Sequence, residues 1–366
     1  MKQCFRATLC LLLTLLLCSA VLAAPTASIV RAFANENTLC TYLRLETDGQ
    51  AVTAAEAKLN DAICGAASNL GTVQQMQSPV HYLLLVDNST SMTQYAPQIE
   101  AFAAELTENA GDNSRFTLGV FGEKFSLLAE NIGADMLDEQ VQAVTYDARA
   151  SRIQDGIAGA LAYFGALSRE NQELRCIVAL TDGVVYNPDS GASSSEISDS
   201  LPKSDALFFS VVFGDDADAR AALMQMTADS GGDAWSVTEA QSVQDAADAL
   251  LQACRSLYVM SFALPSNVQA GEAALTVTFS ANGTLLCRAL GTVFIPERTT
   301  NGGEPQERPP VQTAASAQNA AVETAPASEA QTQSIWNIGL TALVAVLAVV
   351  TVGLLVLLLI RRKRAR

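Results

Sequence analysis

Histidine is all but missing: His81 is the single one in 366 residues. A two-histidine zinc site is therefore excluded, and any Ser-His-Asp relay would depend on that one residue. Basic side chains are scarce as well, 22 against 38 acidic, for a net charge of −16. Seven of them sit at the two ends (Lys2, Arg6, Arg361, Arg362, Lys363, Arg364 and Arg366), which leaves 15 basic against 38 acidic residues between, or −23. Such a surface repels phosphate backbones and anionic headgroups, which argues against nucleic-acid binding and against attachment to a membrane by charge. The patterns CxxC, GxSxG and HExxH are also missing. Redox, nucleophile-elbow and zinc-protease chemistry thus lack support, and the chain is not expected to be an enzyme.

What is present begins with the ends. Lys2 and Arg6 precede an apolar run, Ala7 to Leu17, and then small residues around Val21-Leu22-Ala23-Ala24. That is the layout of a secretory signal peptide, residues 1–23, with an uncleaved N-terminal anchor as the other reading. Ile338 to Ile360 is a 23-residue stretch without a charge, introduced by Trp336 and closed by Arg361-Arg362-Lys363-Arg364. Its length predicts a transmembrane helix over 335–360, and the basic flank places residues 361–366 in the cytoplasm. The expected topology is single-pass, with everything before the helix extracytoplasmic and a tail too short to hold a domain. Residues 297–334 are rich in Pro, Ala, Thr, Ser, Gln and Glu and read as a disordered stalk.

Five cysteines follow the signal segment: Cys40, Cys64, Cys176, Cys254 and Cys287. An odd number in an exported chain leaves at least one thiol over. Cys176 opens a strongly apolar run and is expected to stay a buried thiol. Cys40 with Cys64 and Cys254 with Cys287 are candidate pairs, and spacing does not fix the connectivity.

Between residues 80 and 254, apolar runs (Tyr82 to Val86, Phe116 to Phe121, Cys176 to Leu180, Leu207 to Phe213) alternate with helical patterns. Ile99, Phe102, Ala103 and Leu106 keep helical spacing, as do Ile153, Ile157, Leu161 and Phe164, and again Val243, Ala247, Leu250 and Leu251. This predicts an α/β domain with a doubly wound, mostly parallel sheet, whose ligands sit at the carboxyl ends of the strands. The flanks, 25–79 and 255–296, are β-rich. Ser28 to Ala34 and Thr38 to Glu46 are strand-like, and Asn282-Gly283 signals a hairpin between Leu275–Phe279 and Leu285–Phe294. Either the flanks meet in one small β-sandwich into which the α/β domain is inserted, or they form two separate modules. Ala54 to Ile63 fits helix or strand.

The chemistry gathers at the strand ends. His81 to Val86 runs into Asp87-Asn88-Ser89-Thr90-Ser91, a carboxylate with hydroxyls two and four residues on. Three oxygens in one loop suit a hard cation, although an Asp and serines capping the next helix would look the same. Thr181-Asp182-Gly183 ends another buried strand, and Ser151 stands immediately before a helix. Together, over residues 80–254, these motifs resemble the von Willebrand factor type A (VWA) domain, helped by Phe208 to Asp215 and the Ser230-Gly231-Gly232-Asp233-Ala234-Trp235 turn. The resemblance implies a metal-ion-dependent adhesion site (MIDAS) holding Mg²⁺ or Mn²⁺. Its ligands would be Ser89 and Ser91 directly, Asp87 and Asp182 directly or through water, and Ser151 in place of the family's Thr. Thr90 also departs from the family, standing where Gly is usual.

Blander readings apply elsewhere. Ser200-Leu201-Pro202-Lys203 fits SxxK, but Pro202 interrupts the helix that pattern needs. Asp215, Asp216 and Asp218 read as the acidic start of a helix. Asn88-Ser89-Thr90 and Asn282-Gly283-Thr284 are formal sequons, and His81 reads as packing.

The resemblance implies a cell-surface, metal-dependent adhesion or recognition module whose protein ligand offers an Asp or Glu carboxylate. The acidic surroundings favour a partner that is basic around that anchor. The alternative is a metal-independent assembly or scaffold protein of an exported or envelope complex. Protease added to intact cells should cut within 297–334 and release a folded fragment; protection of the α/β domain until lysis would contradict the expected orientation.

Overall fold

The computed structural model describes residues 24–297 except 36, 48, 169–171, 186–190 and 238–239. The expected signal peptide, stalk beyond its first residue, transmembrane helix and tail all lie outside the described residues. Among the described residues no helix is long and apolar enough to cross a membrane.

The central sheet has six strands in the order β11-β10-β9-β6-β7-β8. These are β6 (Val80–Asp87), β7 (Ser114–Phe121), β8 (Phe125–Ile132), β9 (Leu174–Thr181), β10 (Ala206–Phe213) and β11 (Ala234–Val237). All neighbours pair in parallel except the edge strand β8, which turns back on β7. Strands β6, β9 and β10 are buried at every residue, so they carry apolar side chains on both faces. On β6, Tyr82, Leu84 and Val86 enter one core and Leu83 and Leu85 the other.

Helices cover both faces. On one side lie α2 (Ala96–Asn109), through Ile99, Phe102, Ala103 and Leu106, α3 (Ala134–Gln142), through Leu137 and Val141, and α7 (Ala240–Arg255), through Val243, Ala247, Leu250 and Leu251. On the other lie α4 (Ile153–Ala166), through Ile153, Ile157 and Phe164, α5 (Ser194–Ser200), through Ile197, and α6 (Ala217–Asp229), through Leu223 and Met226. Each fully buried Leu, Ile or Phe contributes roughly 1.5–3 kcal/mol over an exposed position. Asp216 caps α6 by accepting from the backbone of Asp218 and Ala219, which accounts for the acidic run there.

The flanking segments join in a two-sheet unit. One sheet has the order β1-β2-β12-β5 and the other β14-β13-β3-β4. Each combines strands from before and after the α/β domain: β1 (Thr26–Ala34), β2 (Thr38–Glu46), β3 (Ala54–Leu59), β4 (Ala62–Ala66) and β5 (Gly71–Thr72) with β12 (Tyr258–Ala263), β13 (Gly271–Ala281) and β14 (Thr284–Ile295). The segment that fitted helix or strand is therefore a hairpin, β3–β4, in which Ala55, Ala57 and Leu59 alternate inward. Asn282 and Gly283 both adopt positive φ, 49° and 80°, as a two-residue hairpin turn with right-handed strand twist requires. A short helix, α1 (Val73–Met76), leads back to β6.

Sheet β1-β2-β12-β5 is a middle layer. Leu39, Leu43, Met260 and Phe262 face the sandwich core, while Phe33, Cys40, Tyr42 and Val259 face the core of the α/β domain. This explains five consecutive buried residues in β2. Arg31 adds a polar latch across the same junction: its guanidinium donates to the carbonyls of Leu201, Pro202 and Ser230.

The cysteine pairs expected from the sequence do not form. Cys64, Cys254 and Cys287 are free thiols. Cys254, on α7, lies in the α/β core, whereas Cys287 is on β14 against the sandwich core, so this candidate pair is split between two cores.

Arg31→Met keeps the apolar stem but strips donors from three carbonyls. It should lower unfolding stability by about 2–4 kcal/mol, read as a lower denaturant midpoint; an unchanged midpoint would show that the latch is dispensable.

Candidate metal centre

Strand order creates the site. The chain leaves β6 towards β7 on one side and later returns to β9 on the other, so the loops after β6 and β9 diverge and open a crevice at their carboxyl ends. Asp87 is the last residue of β6, and Asp182 follows the last residue of β9.

Asp87 is wholly buried. Its Oδ1 accepts the backbone N–H of Ser89 at 2.9 Å, and its Oδ2 accepts the hydroxyls of Ser151 and Thr181, both at 2.8 Å. The first of these bonds curls the loop so that Ser89 and Ser91, the second residue of the 3-10 turn Thr90–Tyr95, bring their Oγ atoms within 3.1 Å of each other. Ser91 Oγ then donates to Asp182 Oδ2 at 2.7 Å, and Asp182 Oδ1 accepts from the Val184 backbone at 3.0 Å. The five residues expected as ligands are thus linked in one chain of hydrogen bonds: Ser151 to Asp87, Asp87 to Ser89, Ser89 to Ser91 and Ser91 to Asp182.

A third loop holds Ser151 in place. Ala148 exchanges backbone hydrogen bonds with the 88–90 loop, N–H to Asn88 O at 3.2 Å and O from Thr90 N–H at 3.1 Å. Gly122, at the end of β7, leaves room for it: a Cβ there would stand 2.4 Å from Ala148 Cβ and 2.7 Å from Asn88 Oδ1. Arg152 closes the contact by donating its N–H to Gly122 O at 3.1 Å. The Thr90 departure is accommodated because Thr90 is exposed. The sequon residue Asn88 is tied into this packing, its amide reaching Thr145 O at 3.5 Å.

Thr181 was not among the expected site residues. Its hydroxyl donates to Asp87 and accepts from the Gly183 N–H at 2.9 Å, so it positions both the carboxylate and the loop that carries Asp182. The available signal was a hydroxyl directly after the apolar run Cys176–Leu180 and one residue before a candidate ligand. His81 lies at the other end of β6, buried, with Nε2 2.9 Å from Thr117 Oγ1 and Nδ1 3.5 Å from Glu173. It takes no part in this cluster, in agreement with a packing role.

Burial pushes the Asp87 carboxyl above its ordinary value of 3.8, against the lowering effect of its hydrogen bonds to Ser89, Ser151 and Thr181. The Tyr146 phenol is pushed up to about 12 by burial, with the negative charges of Glu100 and Asp87 adding to it. The centre therefore disfavours further negative charge and favours a cation.

The donor set fits a hard divalent ion. All donors are oxygens, the two carboxylates attract a divalent cation, and the hydroxyls complete part of a shell that water or a partner can fill. Among the described residues no three His, Cys, Asp or Glu side chains converge on one point, so hydroxyls are indispensable to any such shell.

Thr181→Val removes a donor to Asp87 without removing an expected ligand. It should weaken Mg²⁺ or Mn²⁺ binding about 10–100-fold, whereas Asp87→Ala should abolish it, both read by calorimetric titration. Affinity should also fall as pH is lowered towards the raised Asp87 value, because protons then compete for the carboxylate. Without metal the sign of the stability effect is opposite: the folded chain holds the Asp87 proton more tightly, so this contribution is lost as pH rises from 3.8 through the raised value. Equal affinity in the wild type and Asp87→Ala would remove the assignment.

Residues 83–249 match the model of the von Willebrand factor type A domain family. No curated protein matches the chain. Several solved structures are similar. One is an aerotolerance-related membrane protein from Bacteroides fragilis NCTC 9343 with multiple mutations to serines, at 13% identity over 47% of this chain and 98% of that one, with a TM-score of 0.38. A second is a von Willebrand factor type A protein from Catenulispora acidiphila, at 10% identity over 74% and 73%, with a TM-score of 0.42. A third is proximal thread matrix protein 1 from the mussel byssus with a zinc-occupied MIDAS motif, at 15% identity over 51% and 47%, with a TM-score of 0.40. The family match, falling on the sheet and strand-end loops described above, identifies residues 83–249 as a von Willebrand factor type A domain.

Proposed function

We propose that the VWA domain is a metal-dependent protein-binding module of the cell surface, serving adhesion or recognition. The observation that carries this reading is the hydrogen-bonded cluster of two carboxylates and three hydroxyls at the strand ends where strand order reverses. Asp87, Ser89, Ser91, Ser151 and Asp182 would hold Mg²⁺, or Mn²⁺, which supplies an electrophilic centre for an incoming oxygen. Three of these ligands are neutral, so the ion keeps attraction for a further carboxylate, and an Asp or Glu of a protein ligand fills that position.

The loops around the centre refine the partner. Beside the expected ligands they carry Lys124, Arg149 and Arg152 as well as Glu123 and Asp147. Contact at the rim is therefore mixed in charge, although the domain as a whole is acidic. Long-range approach favours a partner that is basic around its acidic anchor, while the anchor's near neighbours can include acidic groups facing Lys124 or Arg149. Extracytoplasmic placement, with a stalk and a single membrane-spanning helix, follows from the sequence and belongs to the same proposal, as does the lack of catalytic activity.

Ser91 is the ligand best suited to a test, because it is only half-buried. Ser151 is fully buried and bonded to Asp87, so its loss would disturb the carboxylate as well as the shell. Partners captured on wild-type and Ser91→Ala chains should be retained by the wild type in Mg²⁺, and lost in EDTA and with the variant, while both chains melt cooperatively. Equal recovery in all four conditions would favour the metal-independent scaffold reading instead.

A further inference from the structure

Two cysteines on different elements face each other in the α/β core. Cys176 stands on β9 and Cys254 in the last turn of α7; neither is exposed at all, and their Sγ atoms are 3.6 Å apart. Tyr82, on the neighbouring strand β6, pairs with Cys176 in register and is buried in the same core cluster as both cysteines. We propose that Cys176 and Cys254 become a disulfide when the chain folds in an oxidising compartment, as a covalent staple between the central sheet and α7. Its occurrence in the cell rests on the extracytoplasmic placement proposed above; its chemistry does not.

The geometry asks for little movement. A sulfur–sulfur bond is about 2.05 Å long, so the two atoms must close by roughly 1.5 Å, within reach of small side-chain rotations. With glutathione disulfide as the oxidant, one cysteine thiolate attacks a glutathione sulfur and expels a glutathione thiolate. The second cysteine, after giving its proton to solvent, attacks the protein sulfur of that mixed disulfide and expels the other. Two protein thiols are oxidised, and one glutathione disulfide is reduced to two glutathiones. Because both sulfurs are sealed in the folded core, this exchange belongs to the stage before α7 docks, and the finished bond is shielded from reductants.

The position gives the staple a consequence. Cys176 lies five residues before Thr181 on the strand that carries Asp182, and Cys254 lies four residues before the start of β12. The bond would hold the helix that enters the sandwich against the strand that carries part of the metal centre. It would also close a loop across 78 positions of sequence, a long constraint on the unfolded chain.

The test begins with the full-length chain unfolded in reductant and refolded in detergent, with glutathione redox buffer or with reductant alone, then alkylated and digested with trypsin. The proposal expects residues 176–203 linked to 221–255 in the oxidised sample, separating on reduction, and a melting midpoint several degrees above the reduced sample. Cys176→Ala and Cys254→Ala should each remove both the link and the redox-dependent shift, whatever their own stability. Alkylation of both cysteines when the oxidised, refolded chain is denatured in the alkylating agent, or their linkage to other cysteines, would overturn it. Finding the bond after refolding but not in chain alkylated directly in its own cells would leave the staple standing and contradict the extracytoplasmic placement.

Discussion

Asp87 is a carboxylate placed where carboxylates are least tolerated, at the end of a strand buried on both faces. Burial raises its proton affinity, and an isolated charge there would be prohibitively costly. The surrounding structure answers that cost with donors from three separate places: the backbone of Ser89, the hydroxyl of Ser151 before α4, and the hydroxyl of Thr181 at the end of β9. Satisfying one side chain thus fixes three loops relative to one another, and the same arrangement brings Ser91 and Asp182 alongside. Gly122 belongs to this economy of space, since any side chain there would push the Ser151 loop away.

The second constraint is the middle sheet. Strand β2 is buried on both faces because one face packs on the sandwich and the other on the α/β domain. An inserted domain held by two short connections could otherwise swing; here Phe33, Cys40, Tyr42 and Val259 share a core with the strands and helices of the VWA domain. The polar contacts of Arg31 orient that apolar contact, because its three carbonyl acceptors sit on two different loops.

Much of this was legible in the sequence. The four buried parallel strands announced themselves as continuous apolar runs, and the helices over Ile99, Ile153 and Val243 as 3.6-residue periodicity. The family resemblance rested on the DxSxS loop and on Asp182, and the structure brings Asp87, Ser89, Ser91, Ser151 and Asp182 into one connected cluster. What stayed hidden has physical reasons. Strand β8 alternates half-exposed residues and resembles loop or helix equally well. Thr181 was masked by its neighbour, because a hydroxyl next to a carboxylate is read as part of the carboxylate's motif. The cysteine partners could not be found by spacing, since Cys176 on β9 and Cys254 on α7 are separated in sequence by α5, β10, α6 and β11 and meet only in the packed core. The acidic composition, finally, describes the whole chain, whereas the loops that flank the candidate metal centre mix Lys124, Arg149 and Arg152 with Glu123 and Asp147.

The central claim is that these oxygens form a cation site with a position open to a ligand. Pulsed electron paramagnetic resonance of the chain loaded with one equivalent of Mn²⁺ tests it most directly, because it reads the nuclei around the ion. The account predicts a single bound Mn²⁺ with exchangeable water protons in its shell and no directly coordinated nitrogen, the water signal falling when a carboxylate-bearing ligand binds. Nitrogen coordination, or Mn²⁺ that remains fully hydrated in solution, would contradict it.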